Sequence, residues 1–219
     1  MLASQLIQTN YPSIHLFDKV SLALHLMDEY DVQHLPVVHE EKFAGLVCKD
    51  DLLDADENTT VAALEYQFIK SSIKSEEHFL AALKQISESN LSLVAVVNEQ
   101  SELKGVITAT ELIKVLSKFT GSEDPGGMIV LEMERRNYSF GEISRLVETN
   151  DASIMQLNTM PGNDLGMITV TIKINKIEVS DIVATFQRYD YQVQYYFGEE
   201  HYTNELKENY NHLLSYLNI

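Results

Sequence analysis

Residues 22–53 read LALHLMDEYDVQHLPVVHEEKFAGLVCKDDLL, and residues 81–113 read AALKQISESNLSLVAVVNEQSELKGVITATELI. Placed one above the other, they are the same segment written twice. Ala23, Leu24 and Met27 match Ala82, Leu83 and Ile86, and Val37–Val38 match Val96–Val97, at an offset of 59. After a one-residue insertion in the second copy the offset becomes 60. It then pairs Gly45 with Gly105, Cys48 with Thr108, Asp51 with Glu111 and Leu52 with Leu112. Self-similarity of this kind marks a supersecondary unit used more than once.

Within each copy the periodicity changes twice. Apolar residues spaced by three and four predict a helix, two short β-branched runs flank a polar turn closed by glycine, and a second helix is expected from Asp51 or Glu111. The unit is therefore α-β-β-α. One copy alone buries too little surface to be stable, so two copies should pack together.

HLPVV followed by GLVCKDDLL, with the looser LVAVV and GVITATELI, resembles the CBS domain in tandem, with repeats at about 10–58 and 70–118. The pattern G-h-h-[S/T]-x-x-D at a strand-to-helix turn occurs twice at one spacing. The resemblance implies an adenine-nucleotide ligand such as AMP, ADP, ATP or another adenosyl compound, with His34–Leu35–Pro36 and Leu93–Val94–Ala95 lining the base pockets. It needs no further cofactor.

Elementary chemistry supports a site at such a turn. A strand that delivers the chain to a helix start presents free backbone N–H groups, a hydroxyl there can bind phosphate, and a carboxylate in the first turn can accept from ribose hydroxyls. The second copy has Thr108 as hydroxyl, Thr110 as expected helix cap and Glu111 as carboxylate. The first copy keeps Asp51 but has Cys48, a weak donor, in place of the hydroxyl. Asp50, Asp51, Asp54, Asp56 and Glu57 crowd that first site and oppose a bare polyphosphate. A nucleotide carrying a divalent cation, or a less charged adenosyl compound, suits it better.

Asp54, Asp56, Asn58 and Glu65 imitate a calcium loop, but Thr59 stands where the loop's turn uses glycine. An Asn58–Thr59–Thr60 cap opening a helix VAALEYQF accounts for the same residues. The sequence contains no GxxxxGK[ST], no GxSxG and no HExxH. The expectation is a regulatory protein, not an enzyme.

SKFTGSEDPGG (117–127) breaks the pattern, and a linker is expected over 119–127. Beyond it the sequence predicts strand 128–134, helix 139–149, strand 153–160, strand 166–174, helix 178–189 and strand 191–197. That order, βαββαβ, is ferredoxin-like. Its position and the segment YSFGEISRLVETNDASIMQL resemble an ACT domain. The whole is thus expected to be an α+β chain, a region resembling a CBS pair over 1–118 followed by one resembling an ACT domain over 128–198.

Ligand-binding ACT domains carry a glycine where this chain has Tyr138, so the resemblance implies a closed amino-acid site. Residues 199–219 are expected to form an amphipathic helix with Leu206, Tyr210, Leu213, Leu214 and Leu217 on one face.

The net charge of −17 is spread evenly, 9 basic against 18 acidic residues over 1–122 and 7 against 15 after it. Nucleic acid needs a basic patch, and the densest cluster here is Arg135–Arg136. No apolar run spans a membrane, the start lacks a secretory pattern, and Cys48 is the single cysteine, so a cytoplasmic location is expected. The combination resembles bacterial acetoin-utilisation accessory proteins and stand-alone CBS proteins. It implies a ligand sensor, associating as a homodimer through helices Ala23–Tyr30 and Ala82–Glu88, that acts on an unidentified target protein. The rival readings are a structural dimerisation protein with empty clefts and an accessory enzyme subunit.

Overall fold

The structure is a computed structural model describing residues 1–198. Its contacts divide the chain into two compact units, Met1–Leu116 and a second beginning at Ser117. The expected C-terminal helix lies outside the described residues.

In the first unit the first repeat runs β1 (Ile14–His15), α1 (Val20–Glu29), β2 (His34–His39), β3 (Lys42–Cys48) and α2 (Lys49–Leu53). The second runs β4 (Ser72–Lys74), α3 (Phe79–Ser89), β5 (Leu93–Val97), β6 (Leu103–Thr108) and α4 (Ala109–Phe119). Each repeat builds a three-stranded sheet whose first pair is parallel and whose second is antiparallel. The unit is therefore β-α-β-β-α, one strand more than the periodicity predicts. At two and three residues, β1 and β4 are too short to show any alternation.

The second helix of each repeat starts two residues earlier than expected, at Lys49 and Ala109. Thr110 consequently sits inside α4, and the capping role passes to Thr108, whose Oγ1 accepts from the Glu111 N–H at 3.2 Å. Between the repeats, Val61–Gln67 forms a 3-10 helix. Thr60 stands at its start without a side-chain cap, and Thr59 instead donates its hydroxyl to the Asp56 carbonyl at 2.7 Å.

The two repeats exchange the segments that precede them. Ala3 and Leu6 are buried against Ile73, Phe79, Val94 and Ile107 of the second repeat. Val61, Leu64 and Phe68 are buried against Val20, Met27, Leu35 and Leu52 of the first. Each crossing ends in a short ladder, Gln8 with Val106 and Ile69 with Leu46. The repeated glycine makes the crossing possible. Gly45 and Gly105 have φ of +151° and +144°, and a Cβ there would lie 2.7 Å from the Phe68 Cβ and 2.5 Å from the Gln8 carbonyl oxygen. A third core, of Leu46, Leu91, Leu93, Ala95 and Val106, joins the two sheets.

The second unit runs β7 (Met128–Glu134), α5 (Phe140–Glu148), β8 (Ile154–Pro161), β9 (Met167–Ile174), α6 (Ser180–Arg188) and β10 (Gln192–Phe197). Its antiparallel sheet has the order β10-β7-β9-β8, the ferredoxin-like arrangement of a βαββαβ chain. Ile168, Val170, Ile172 and Ile174 turn one face of β9 to a core completed by Ile143, Leu146 and Val147 of α5 and by Ile182, Val183 and Phe186 of α6. Ser139 caps α5, accepting from the Glu142 N–H at 3.3 Å. On the opposite face Lys173 is buried and donates its ammonium to the Gly121 carbonyl.

Candidate functional site

The start of β2 and the end of β3 are paired, His34 opposite Cys48, so both residues come to the edge of the first sheet just where α2 begins. From the second repeat, α3 ends at Asn90 in the left-handed conformation (φ 49°), and the turn through Ser92 brings that chain to the same edge. Between them lies a cavity of about 590 Å³ lined by Gln33, His34, Cys48, Asp50 and Asp51 on one side and by Ser89–Ser92 with Ile69 on the other. The first cleft is thus made from both repeats.

His34 is the junction. It is 7% exposed, and its Nδ1 lies 2.7 Å from the Ser92 hydroxyl and 3.4 Å from the Ser92 backbone nitrogen, which donates to it. Its carbonyl accepts from the Tyr11 hydroxyl at 3.1 Å. Burial pushes the His34 pKa below its ordinary value, against the opposing pull of Asp51 and Asp50. Burial also raises the Tyr11 phenol to about 12. The Cys48 thiol is half-buried at the cap position of α2 and makes no capping hydrogen bond. Lys49 lies outside the cavity lining, its ammonium 2.6 Å from Asp28.

The remaining first-copy positions lie differently. Leu35 packs into the core on the helix side of its sheet. Pro36 is buried in β2 opposite Leu46. In the second copy Leu93 pairs with Thr108 as His34 pairs with Cys48. Leu93 and Ala95 enter the core between the sheets, whereas Val94 faces the helix-side core. Glu111 stands in the first turn of α4, 3.7 Å from the Lys114 ammonium. A second cavity of about 440 Å³, lined by Gln8, Tyr11, Tyr30 and Val32 among others, lies beside the first repeat's own helix-end turn. No sequence motif marks Gln33, Asn90 or Ser92 as site residues. The repeat alignment marks Gln33 and Ser92 as equivalent positions, but only packing brings the turn of one copy to the strand end of the other.

In the second unit a cavity of about 440 Å³ is lined by Glu132, Glu134, Glu142, Asp190, Tyr189 and Tyr191 among others. Burial, helped by a hydrogen bond to Glu142, raises the Tyr191 phenol to about 12. Tyr138 packs against the edge of the domain core. Among the described residues there is no group of three or more His, Cys, Asp or Glu able to hold a metal ion, and no helix is long and apolar enough to cross a membrane.

Comparison with known proteins agrees with this fold. Residues 3–58 and 70–118 each match the CBS domain family. The inosine-5′-monophosphate dehydrogenase of Bacillus subtilis is 23% identical over 179 residues, covering 75% of this chain and 34% of that enzyme. The enzyme of the same name from Methanocaldococcus jannaschii is 23% identical over 136 residues, covering 60% of this chain and 27% of its own. The chain thus spans about a third or less of the length of these relatives. A solved CBS domain pair/ACT domain protein from Thermotoga maritima superposes with a TM-score of 0.51 at 25% identity, covering 54% of this chain and 98% of that one. The two interlocked repeats of this chain are a tandem pair of CBS domains.

Proposed function

We propose that the CBS pair is a regulatory sensor whose first cleft holds an adenosine-containing small molecule between the two repeats. The observation that carries this reading is the shared cleft itself, with His34, Cys48 and Asp51 from one repeat facing Ser89–Ser92 of the other. A ligand that touches both repeats favours one arrangement of them, by as much as its affinities for the two arrangements differ. Asp51 is placed to accept from ribose hydroxyls, and His34 offers a donor and the Ser92 hydroxyl oxygen an acceptor to a base. Thr108 and Glu111 are the corresponding pair in the second copy. The candidate ligands are AMP, ADP, ATP and other adenosyl compounds.

Thermal-shift titration tests this, because a ligand specific for the native state raises stability by RT ln(1 + [L]/Kd). At least one adenosine compound should raise the melting temperature, and Asp51→Ala together with Glu111→Ala should abolish the shift. If no adenosine compound shifts it at millimolar concentration, the structural reading takes its place. That second reading, a homodimer built for assembly, draws on Leu22, Leu53, Leu80 and Ile113, all exposed on the CBS helices. Sedimentation at micromolar concentration distinguishes dimer from monomer.

The ferredoxin-like domain fits an ACT-like role in assembly rather than amino-acid sensing. Tyr138 occupies the position of the usual glycine, and Gly141, with open space around it, opens no close approach in its place. A free-standing sensor or accessory subunit of this build accords with the resemblance to acetoin-utilisation accessory proteins.

A further inference from the structure

We infer that the first cleft selects an adenosine compound whose 5′ substituent is neutral or cationic, and discriminates against free anionic nucleotides. This rests on the reading of that cleft as an adenosine site, and it names the class of ligand the site takes.

Among the described residues no lysine or arginine lines this cleft to hold a phosphate. The cavity lining contains two carboxylates, Asp50 and Asp51. The cation next in sequence, Lys49, is committed to Asp28 at 2.6 Å. The helix that opens at the cleft, α2, has five residues, so few aligned peptide units stand behind its first turn, and that turn carries both carboxylates. At its cap Cys48 supplies a weak donor where a hydroxyl would serve. The other copy is built differently. There α4 has eleven residues, one first-turn carboxylate, Thr108 at the cap and Lys114 3.7 Å from Glu111.

What the first cleft does present is a buried donor. His34 is 7% exposed and lines the cavity. Its Nδ1 accepts from Ser92, which leaves the proton on Nε2, and among the described residues Nε2 has no partner. Because burial depresses its pKa, the ring is neutral at pH 7 and adds a hydrogen bond to the cleft without a positive charge. An uncharged base or ribose acceptor fits that N–H, Asp51 takes the ribose hydroxyls, and the negative field of Asp50 and Asp51 acts on whatever projects from the 5′ carbon. A sulfonium or amine there is attracted and a phosphate repelled. At about 6 Å and an effective dielectric near 40, each unit of charge changes affinity roughly tenfold.

Calorimetric titration of the full chain carrying Glu111→Ala, which removes the second copy's carboxylate, confines the comparison to the first cleft. The probes are S-adenosylmethionine, 5′-deoxy-5′-methylthioadenosine, AMP and ATP, the last with and without magnesium. We expect the cationic compound to bind best, the neutral one next, and AMP at least tenfold more weakly than the neutral one. Asp50→Asn should narrow the gap between cation and AMP by about tenfold or more, and magnesium should improve ATP. AMP binding as tightly as the neutral nucleoside, and lost on Asp51→Ala, overturns this inference and leaves the adenosine site standing. Binding by none of the probes, in this variant or in the unmodified chain, overturns both.

Discussion

Replacing Gly105 by alanine puts a methyl group where the N-terminal segment crosses the second repeat. The added Cβ would lie 2.5 Å from the Gln8 carbonyl oxygen and 2.5 Å from the Ile7 Cγ2, on a backbone with φ of +144°. Gln8 is backbone and cannot rotate away, so the segment must lift. Lifting breaks the reciprocal bonds Gln8 N to Val106 O at 2.8 Å and Val106 N to Gln8 O at 3.1 Å. It also draws Ala3 and Leu6, 0% and 9% exposed, from the core of the second repeat. Two hydrogen bonds are worth about 1 kcal/mol each, and burial of one leucine about 2 kcal/mol. Staying in place instead strains the backbone by about 1–3 kcal/mol, before any steric term. Lifting thus costs about 4 kcal/mol and staying about 1–3 kcal/mol plus the steric overlap, so the variant should lose about 3–4 kcal/mol. Urea unfolding followed by circular dichroism measures the loss, and limited proteolysis reports whether residues 1–12 are released. Gly141→Ala is the control. It sits in α5 with nothing within 4 Å of the new methyl, and should gain about 0.5–1 kcal/mol. A Gly105→Ala protein as stable as the parent would refute the view that the exchanged segment is held against this glycine.

His34 should make the CBS unit acid-sensitive. Its pKa lies below the ordinary 6.5 in the folded chain, so as pH falls below 6.5 the unfolded chain binds the additional proton and stability declines. His34→Gln should flatten that decline in melting temperature between pH 6.5 and 5, and an unchanged profile would count against a buried neutral ring. Thr108→Ala removes the cap on α4 and should cost about 1 kcal/mol in urea unfolding, while Thr110→Ala should stay within about 0.5 kcal/mol. The reverse order would place the cap at Thr110. Calorimetric titration of the full chain with the twenty amino acids should give no binding that depends on Tyr138. A tight binder lost on changing the Arg135–Tyr138 loop would show that the ferredoxin-like domain is an amino-acid sensor.

Much of the architecture was legible because it is written in local periodicity. The offset of 59 and then 60 marks two equivalent units. The alternation Ile168, Val170, Ile172, Ile174 against the helical spacing of Ile143, Leu146 and Val147 predicted a one-sided sheet under two helices, with element boundaries within two residues of those observed. Pattern reading succeeds there because each element is long enough to repeat its period and has one face in a core.

What the local pattern left out has one of two causes. The strands β1 and β4 and the exact starts of α2 and α4 depend on a few residues each, too few for a period, and hydrogen bonds such as Thr108 with Glu111 decide them. The exchange of segments and the make-up of the cleft depend on contacts between residues far apart in the chain. Nothing local ties Gln8 to Val106, Phe68 to Gly45, or His34 to Ser92. The sequence by itself determined that there are two equivalent units and that Cys48 and Asp51 share one strand-to-helix turn. Only the tertiary structure decided that the turn after α3 closes over them, because burying the faces of both sheets in a common core of Leu46, Leu91, Leu93, Ala95 and Val106 sets which chain ends meet.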